Sequence, residues 1–272
     1  MNAPAATLAE LCAAAMPHEE LTADELAWIC SGPTTTTIGD DRAAAVVTID
    51  TIGEYVGAWL VLVVVHPDDQ GAGRGRALVD EVVALARGAN ASDLHLAAAI
   101  PRYVWPGVDV MDTRAAAFCE AIGFADGPLG INMAISTAFR AVPPDGVIVE
   151  RELGAGALEL CDRAYPHWRP EVERAIELGT AFSARAPDGA TVGFSCHSVN
   201  RRRWIGPMAT DPDRRAGGIG SATLAAVCAD LEARGEPTGE IAWVSNLRFY
   251  GKCGATVSRV FRGGRQPLRA PR

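Results

Sequence analysis

The chain has 272 residues, 49% of them hydrophobic, a formal net charge of −8 and a mean hydropathy of +0.09. It is long enough to bury one large core or two ordinary ones, and too apolar to be disordered. An acidic balance, pI about 5.2, without an aromatic-interleaved basic stripe argues against nucleic acid as a partner.

In chain order, an apolar helix is expected near Leu8–Met16. The capping box Thr22-Ala-Asp-Glu25 opens a second helix through Ile29. Strands follow at Ala43–Asp50 and Glu54–His66. The run Val56–Val65 is too short to span a bilayer and reads as a buried strand, so no membrane role is expected. A glycine-rich turn leads to a helix at Ala72–Arg87, then a strand at Leu94–Ile100 and a helix at Arg114–Ala121 closed by Gly123. The second half repeats the plan. It has a strand at Val147–Glu152, helices at Leu158–Tyr165 and Glu171–Leu178, and strands at Ala181–Arg185, Thr191–His197 and Trp204–Thr210. Another glycine turn, a helix to Arg234, the strand Glu240–Val244 and the helix Leu247–Cys253 complete it.

Shifted by 145 positions, Val63–Gly75 ("VVVHPDDQGAGRG") falls on Met208–Gly220 ("MATDPDRRAGGIG"). Pro67 meets Pro212, Gly73 meets Gly218 and Gly75 meets Gly220. The helical faces behind coincide too: Val79, Val82, Val83 and Ala86 match Leu224, Val227, Cys228 and Leu231. The chain therefore reads as an internal duplication. The connector Arg140–Gly146 ("RAVPPDG") divides it into domains 1–140 and 141–272. The first carries 7 basic and 18 acidic side chains, the second 18 and 15. Uneven solvation explains that contrast, or the basic half attracts an anionic cofactor and the acidic half a cationic substrate.

A glycine-rich bend between strand and helix presents unpaired N–H groups at the positive helix end, which suits a pyrophosphate. Neither turn spells a Walker A loop or completes G-x-G-x-x-G. The spelling is Gln70-x-x-Gly73-x-Gly75 and Arg215-x-x-Gly218-x-Gly220. These turns resemble the acetyl-CoA signature of the GCN5-related N-acetyltransferase superfamily. Asn246–Ala255 ("NLRFYGKCGA") is similar to that family's later motif. Both halves match, so the resemblance implies an α/β (α+β type) chain of two tandem domains, each a mixed twisted sheet flanked by helices.

The resemblance further implies acetyl-CoA as cosubstrate and Tyr250 as general acid, with a packed core aromatic at the helix start as the alternative for Tyr250. It puts the pyrophosphate on Arg215, Ala216, Gly217, Gly218, Ile219 and Gly220, and the pantetheine arm along Met208, Ala209 and Thr210. Asn246 contacts the cofactor or caps the helix. In the first copy the matching positions are Val65, Gln70, Gly71, Gly73 and Gly75. There Cys119 stands opposite Tyr250 and 14 extra residues separate turn from helix, so the second copy is expected to be catalytic and the first supporting. Trp168, His197 and Trp105 are candidates for the acceptor side, each with an ordinary packing role as alternative.

No His pair or C-x-x-C marks a metal, and seven scattered cysteines favour reduced thiols. No secretion signal is evident, so a cytoplasmic monomer or homodimer is expected. Three functions stand: acetylation of a small cationic amine such as an aminoglycoside-like antibiotic or its precursor (resistance or tailoring), mycothiol-synthase-like acetylation of a thiol precursor, or a non-catalytic acyl-CoA-binding regulator.

Overall fold

A computed structural model describes residues 5–215 and 217–268. The first compact unit comprises the chain up to Gly130 together with the stretch from Val260 onward; the second is Ile131–Arg259. These units are not the contiguous halves 1–140 and 141–272. The divisions fall within two long strands, Ala125–Ser136 and Thr256–Pro267, each of which begins in one unit and ends in the other.

In the first unit, α1 (Ala5–Ala15) and α2 (Ala23–Cys30) precede β1 (Thr35–Gly39), β2 (Ala43–Ile52) and β3 (Tyr55–Val65). After the glycine turn come α3 (Arg74–Gly88), β4 (Asp93–Leu96), the short β5 (Val108–Asp109), α4 (Thr113–Ala121) and the start of β6 (Ala125–Ser136). Strands β1, β2 and β3 are antiparallel, and β4 runs parallel to β3. The sheet alternates its side chains between two layers, as a twofold strand period requires. Ala44, Val46, Leu62 and Val64 pack under Leu8, Leu11, Leu26 and Ile29 of α1 and α2. Ala45, Val47, Ala58 and Leu60 pack under Leu78, Val79, Val82 and Ala86 of α3. The Thr22–Glu25 capping box forms, with both reciprocal bonds in place.

The second unit repeats this with β7 (Ile148–Arg151), α5 (Gly156–Ala164), α6 (Arg169–Glu177), β8 (Ala181–Arg185), β9 (Thr191–His197), β10 (Trp204–Thr210), α7 (Ile219–Ala233), β11 (Thr238–Ile241) and α8 (Leu247–Lys252), leading into β12 (Thr256–Pro267). Strands β7 to β10 are antiparallel and β11 runs parallel to β10. Helices α5 and α6 cover Phe194, Cys196 and Ala209, while α7 covers Ile205 and Ile241 from the other face.

Each sheet is completed by a segment from outside its own half of the sequence. Residues 133–136 of β6 pair with β11 in the second unit, and residues 265–267 of β12 pair with β4 in the first. Neither strand is expected from the sequence pattern, and Thr35–Gly39 is a third such strand. Among the described residues no helix is long and apolar enough to cross a membrane.

Candidate functional site

The two parallel strand pairs part company half-way. β3 pairs with β4 only over Gly57–Leu60, and Ala97 N–H closes on the Leu60 carbonyl at 2.9 Å. β10 pairs with β11 only at Trp204 and Ile205, and Ala242 N–H closes on the Ile205 carbonyl at 3.2 Å. Beyond those points β10 stays bonded to β9 through Met208–Thr210, after a register shift between Ile205 and Met208. Asp211 donates to the Val192 carbonyl of that neighbour. By antiparallel alternation Ala209 also faces β9, so Met208 and Thr210 turn their backbone groups to the open edge. His66 donates to the Arg42 carbonyl in the same way, which turns Val65 to the matching edge of the first unit. A free strand edge of this kind accepts an extended ligand as an added strand.

At the end of each open edge stands a glycine turn, and the two have the same backbone. Short 3-10 turns at Pro67–Asp69 and Pro212–Arg214 lead to Gly73 (φ 84°, ψ −3°) and Gly218 (φ 84°, ψ 0°), left-handed values suited to glycine. The first intrahelical bonds are Ala77 N–H to Gly73 and Ala222 N–H to Gly218, both 3.0 Å. Hence the amides of Arg74, Gly75 and Arg76, and those of Ile219, Gly220 and Ser221, have no helical acceptor. No side chain caps either helix, whereas Thr22, Asp112 and Asn246 cap α2, α4 and α8. The amides and helix dipoles therefore fit an anionic ligand, and the pyrophosphate of acetyl-CoA meets that requirement.

The glycines serve different ends. A Cβ on Gly217 would meet nothing within 4 Å, which leaves space for a ligand beside the turn. A Cβ on Gly75 or Gly220 would press on the ring of Phe118 at 3.3 Å or of Phe249 at 3.2 Å, so these two permit close helix packing. Gly71 has positive φ (79°) and open space around it. Ala216 lies outside the described residues. Gln70 folds back to donate to the Val65 carbonyl at 3.0 Å. Its counterpart Arg215 donates to the Tyr165 hydroxyl at 3.2 Å, and that hydroxyl donates to the Thr210 carbonyl at 2.9 Å. Tyr165 thus covers the last carbonyl of the open edge in the second unit, a contact that the spacing of "YPHW" does not reveal.

Tyr250 lies in the first turns of α8, edge-on to Phe249 at 4.9 Å and packed against the core beneath α7. Its hydroxyl forms no hydrogen bond among the described residues. Burial, with the Cys253 sulfur adding, pushes the phenol up to about 12, which keeps it protonated at any ordinary pH. Asn246 Oδ1 accepts from Phe249 N–H at 3.0 Å and so caps α8. At the place of Tyr250 the first unit has Cys119, a buried thiol pushed up to about 11 by desolvation.

The three residues expected on the acceptor side have other engagements. His197 is wholly buried, with Nε2 2.8 Å from Asp230 and Nδ1 3.0 Å from Ser198 Oγ. Desolvation depresses it to about 4 against the pull of Asp230, so it is neutral and has no surface to offer a substrate. Trp168 stacks on Tyr165 at 5.1 Å and packs on the α5–α6 layer. Trp105 donates its indole N–H to Glu19 at 3.1 Å, and Val104 beside it is fully buried against α1 and α2. The extra residues of the first copy are therefore latched onto its own helices. Asp211 accepts from Asp213 N–H and from Arg163 at 2.7 Å, as a turn residue does.

No family model matches the sequence, nor does any curated protein. Solved structures do. The GCN5-related glucosamine N-acetyltransferase region of a fungal multi-domain GH3 β-N-acetylglucosaminidase superposes with a TM-score of 0.76 at 20% identity, covering 95% of this chain and 36% of that one. A tandem GNAT protein from the clavulanic acid biosynthesis pathway gives 0.69 at 15% identity, covering 98% and 96%. The fold is that of the tandem GCN5-related N-acetyltransferases. A GCN5-related N-acetyltransferase from Sphaerobacter thermophilus gives 0.65 at 18% identity, covering 98% and 93%. The chain thus matches two of these proteins nearly end to end and spans about a third of the fungal one. Among the described residues no cluster of three His, Cys, Asp or Glu side chains is placed to hold a metal.

Proposed function

We propose that the chain is an acetyl-CoA-dependent N-acetyltransferase that acylates the amine of a small cationic molecule, with the second unit as the working copy. The observation that carries this reading is the conjunction, in that unit alone, of an uncapped helix start, an open strand edge and a protonated tyrosine. Acetyl-CoA supplies the acyl group as an activated thioester. The amides of Ile219, Gly220 and Ser221 bind its pyrophosphate, and Met208 and Thr210 bond the extended arm and orient its carbonyl. Tyr250 Oη gives its proton to the sulfur as the C–S bond breaks, and the proton released by the attacking neutral amine passes to solvent and restores the phenol, which burial holds protonated beforehand. The first unit keeps the turn and lacks the phenol, so it serves as a supporting copy.

An amino sugar or aminoglycoside-like acceptor is the class proposed. The fungal neighbour's glucosamine belongs to that class, and a clavulanic acid neighbour fits an antibiotic-related setting. The test is thiol release from acetyl-CoA in the presence of glucosamine, kanamycin, a cysteinyl amino sugar and neutral arylamines. Turnover with a cationic amine is expected. Turnover confined to the cysteinyl sugar favours the thiol-precursor reading instead. Tight acetyl-CoA binding without turnover on any amine would make the protein an acyl-CoA-binding regulator.

A further inference from the structure

The strand that flanks the open edge carries a different side chain in each unit at one matched position. On β11 Glu240 stands directly across from Trp204, and on β4 His95 stands directly across from Trp59, again 145 positions apart. Both pairs sit immediately before their strands separate. Ile241 faces α7, so Glu240 and Trp204 face the opposite side, that of α5 and α6.

In the first unit this position is closed. His95 stacks on Trp59 at 5.3 Å, and its Nε2 lies 2.6 Å from the Tyr55 hydroxyl. Gly57 lacks the Cβ that would lie 2.6 Å from the Trp59 ring and 2.7 Å from that of Tyr55. In the second unit the same position carries a half-buried carboxylate. Asn132, wholly buried on β6, donates from Nδ2 to Glu240 Oε1 at 2.6 Å and accepts the Trp243 N–H on Oδ1 at 2.8 Å. Trp243 itself holds a left-handed φ of 51° and is 38% exposed. Among the described residues no cationic side chain pairs with Glu240. The carboxylate is therefore half-buried and held by a neutral amide, with its second oxygen and its whole charge left over.

We propose that Glu240 is the acceptor-recognition residue: its free oxygen takes a hydrogen bond from a protonated amino group of a small polycationic acceptor, other than the neutral amine that is acylated, with Asn132 as positioning residue. An unpaired carboxylate on a half-buried face gains most from a cation that arrives with matched geometry, and it disfavours neutral or anionic acceptors by the same amount. Binding of the cation stands on this geometry; only its placement next to a thioester rests on the acetyltransferase reading.

The test uses the full chain with kanamycin as probe and tryptophan fluorescence as readout, since Trp204 and Trp243 flank Glu240, alongside a separate acetyl-CoA titration. Glu240→Gln keeps the bond from Asn132 and removes only the charge. It is expected to weaken kanamycin binding at least tenfold and leave acetyl-CoA affinity unchanged, with Glu240→Asp falling between. In turnover the loss should appear in KM for the amine rather than in kcat. Unaltered kanamycin affinity in Glu240→Gln, or no kanamycin binding by the wild type, overturns the proposal. Glu240-dependent kanamycin binding by a protein that binds no acetyl-CoA would instead leave Glu240 standing and sink the transferase reading.

Discussion

Gly73 and Gly218 open their helices with the same φ, and the strands before them separate from their neighbours at the same point. The side chains around those two backbones have diverged in a consistent direction. The first unit has Cys119 for Tyr250 and a His95–Trp59–Tyr55 stack for Glu240, and its extra residues are latched by Trp105 to Glu19. The second has a protonated phenol and an unpaired carboxylate. A glycine turn thus marks where a ligand fits, and the groups on the next strand and helix decide whether chemistry follows.

The largest expected effect sharpens that contrast. Tyr250→Phe should lower kcat by about 10² to 10⁴, the usual contribution of a positioned acid, with acetyl-CoA affinity unchanged. Cys119→Ser should leave kcat where it is, and steady-state rates for the two variants test both statements. Because the phenol is held at about 12, its ionisation should produce no fall in kcat below pH 10 in the wild type.

A second prediction concerns His197, whose burial makes the stability of the second unit depend on pH. Its folded pKa, about 4, lies below the ordinary value near 6.5, so the unfolded chain takes up its proton first. Stability from this group is full above pH 6.5 and declines as pH falls toward 4, by about 3 kcal/mol at most. Denaturant melts between pH 7 and 4 should show that decline as the difference between the wild type and His197→Gln, because buried Glu171, held up to about 8, titrates over the same range with the opposite sign. The variant should leave KM for the amine unchanged.

The smallest effect belongs to the latch. Trp105→Phe removes the bond to Glu19 and should cost about 1 kcal/mol of stability in a denaturant titration, with no change in turnover. A changed KM would mean that the extra residues of the first unit reach the acceptor after all.

The duplication was legible because glycine and proline spacings survive at a fixed offset, and the helices behind them bury the same positions. The composition of the units was not. β6 contains Gly127, Pro128 and Gly130, and β12 contains Gly263, Gly264 and Pro267, so neither shows the alternation that marks a strand. Their partners are also distant in sequence, 238–241 and 93–95, which no local pattern reports. Within the site, the turn and Tyr250 stand in recognisable motifs. Glu240 is one acidic residue in a four-residue strand, and its environment comes from Asn132, 108 positions earlier. Only the offset that sets it against His95 could have singled it out. Trp105 and Trp168 are visible as aromatics, but their contacts with Glu19 and Tyr165 are not.

The central claim is that the second turn, not the first, holds the cofactor used in catalysis. Gly217→Glu tests it most directly, because its Cβ has open space and the new carboxylate would meet the ligand rather than the fold. Its counterpart at the same offset is Ala72→Glu. Calorimetric titration with acetyl-CoA should show Gly217→Glu weakened about 100-fold, or about 2.7 kcal/mol, and inactive, with its melting temperature and the activity of Ala72→Glu near wild type. Loss of activity in Ala72→Glu with Gly217→Glu unaffected would contradict the account and hand the working site to the first unit.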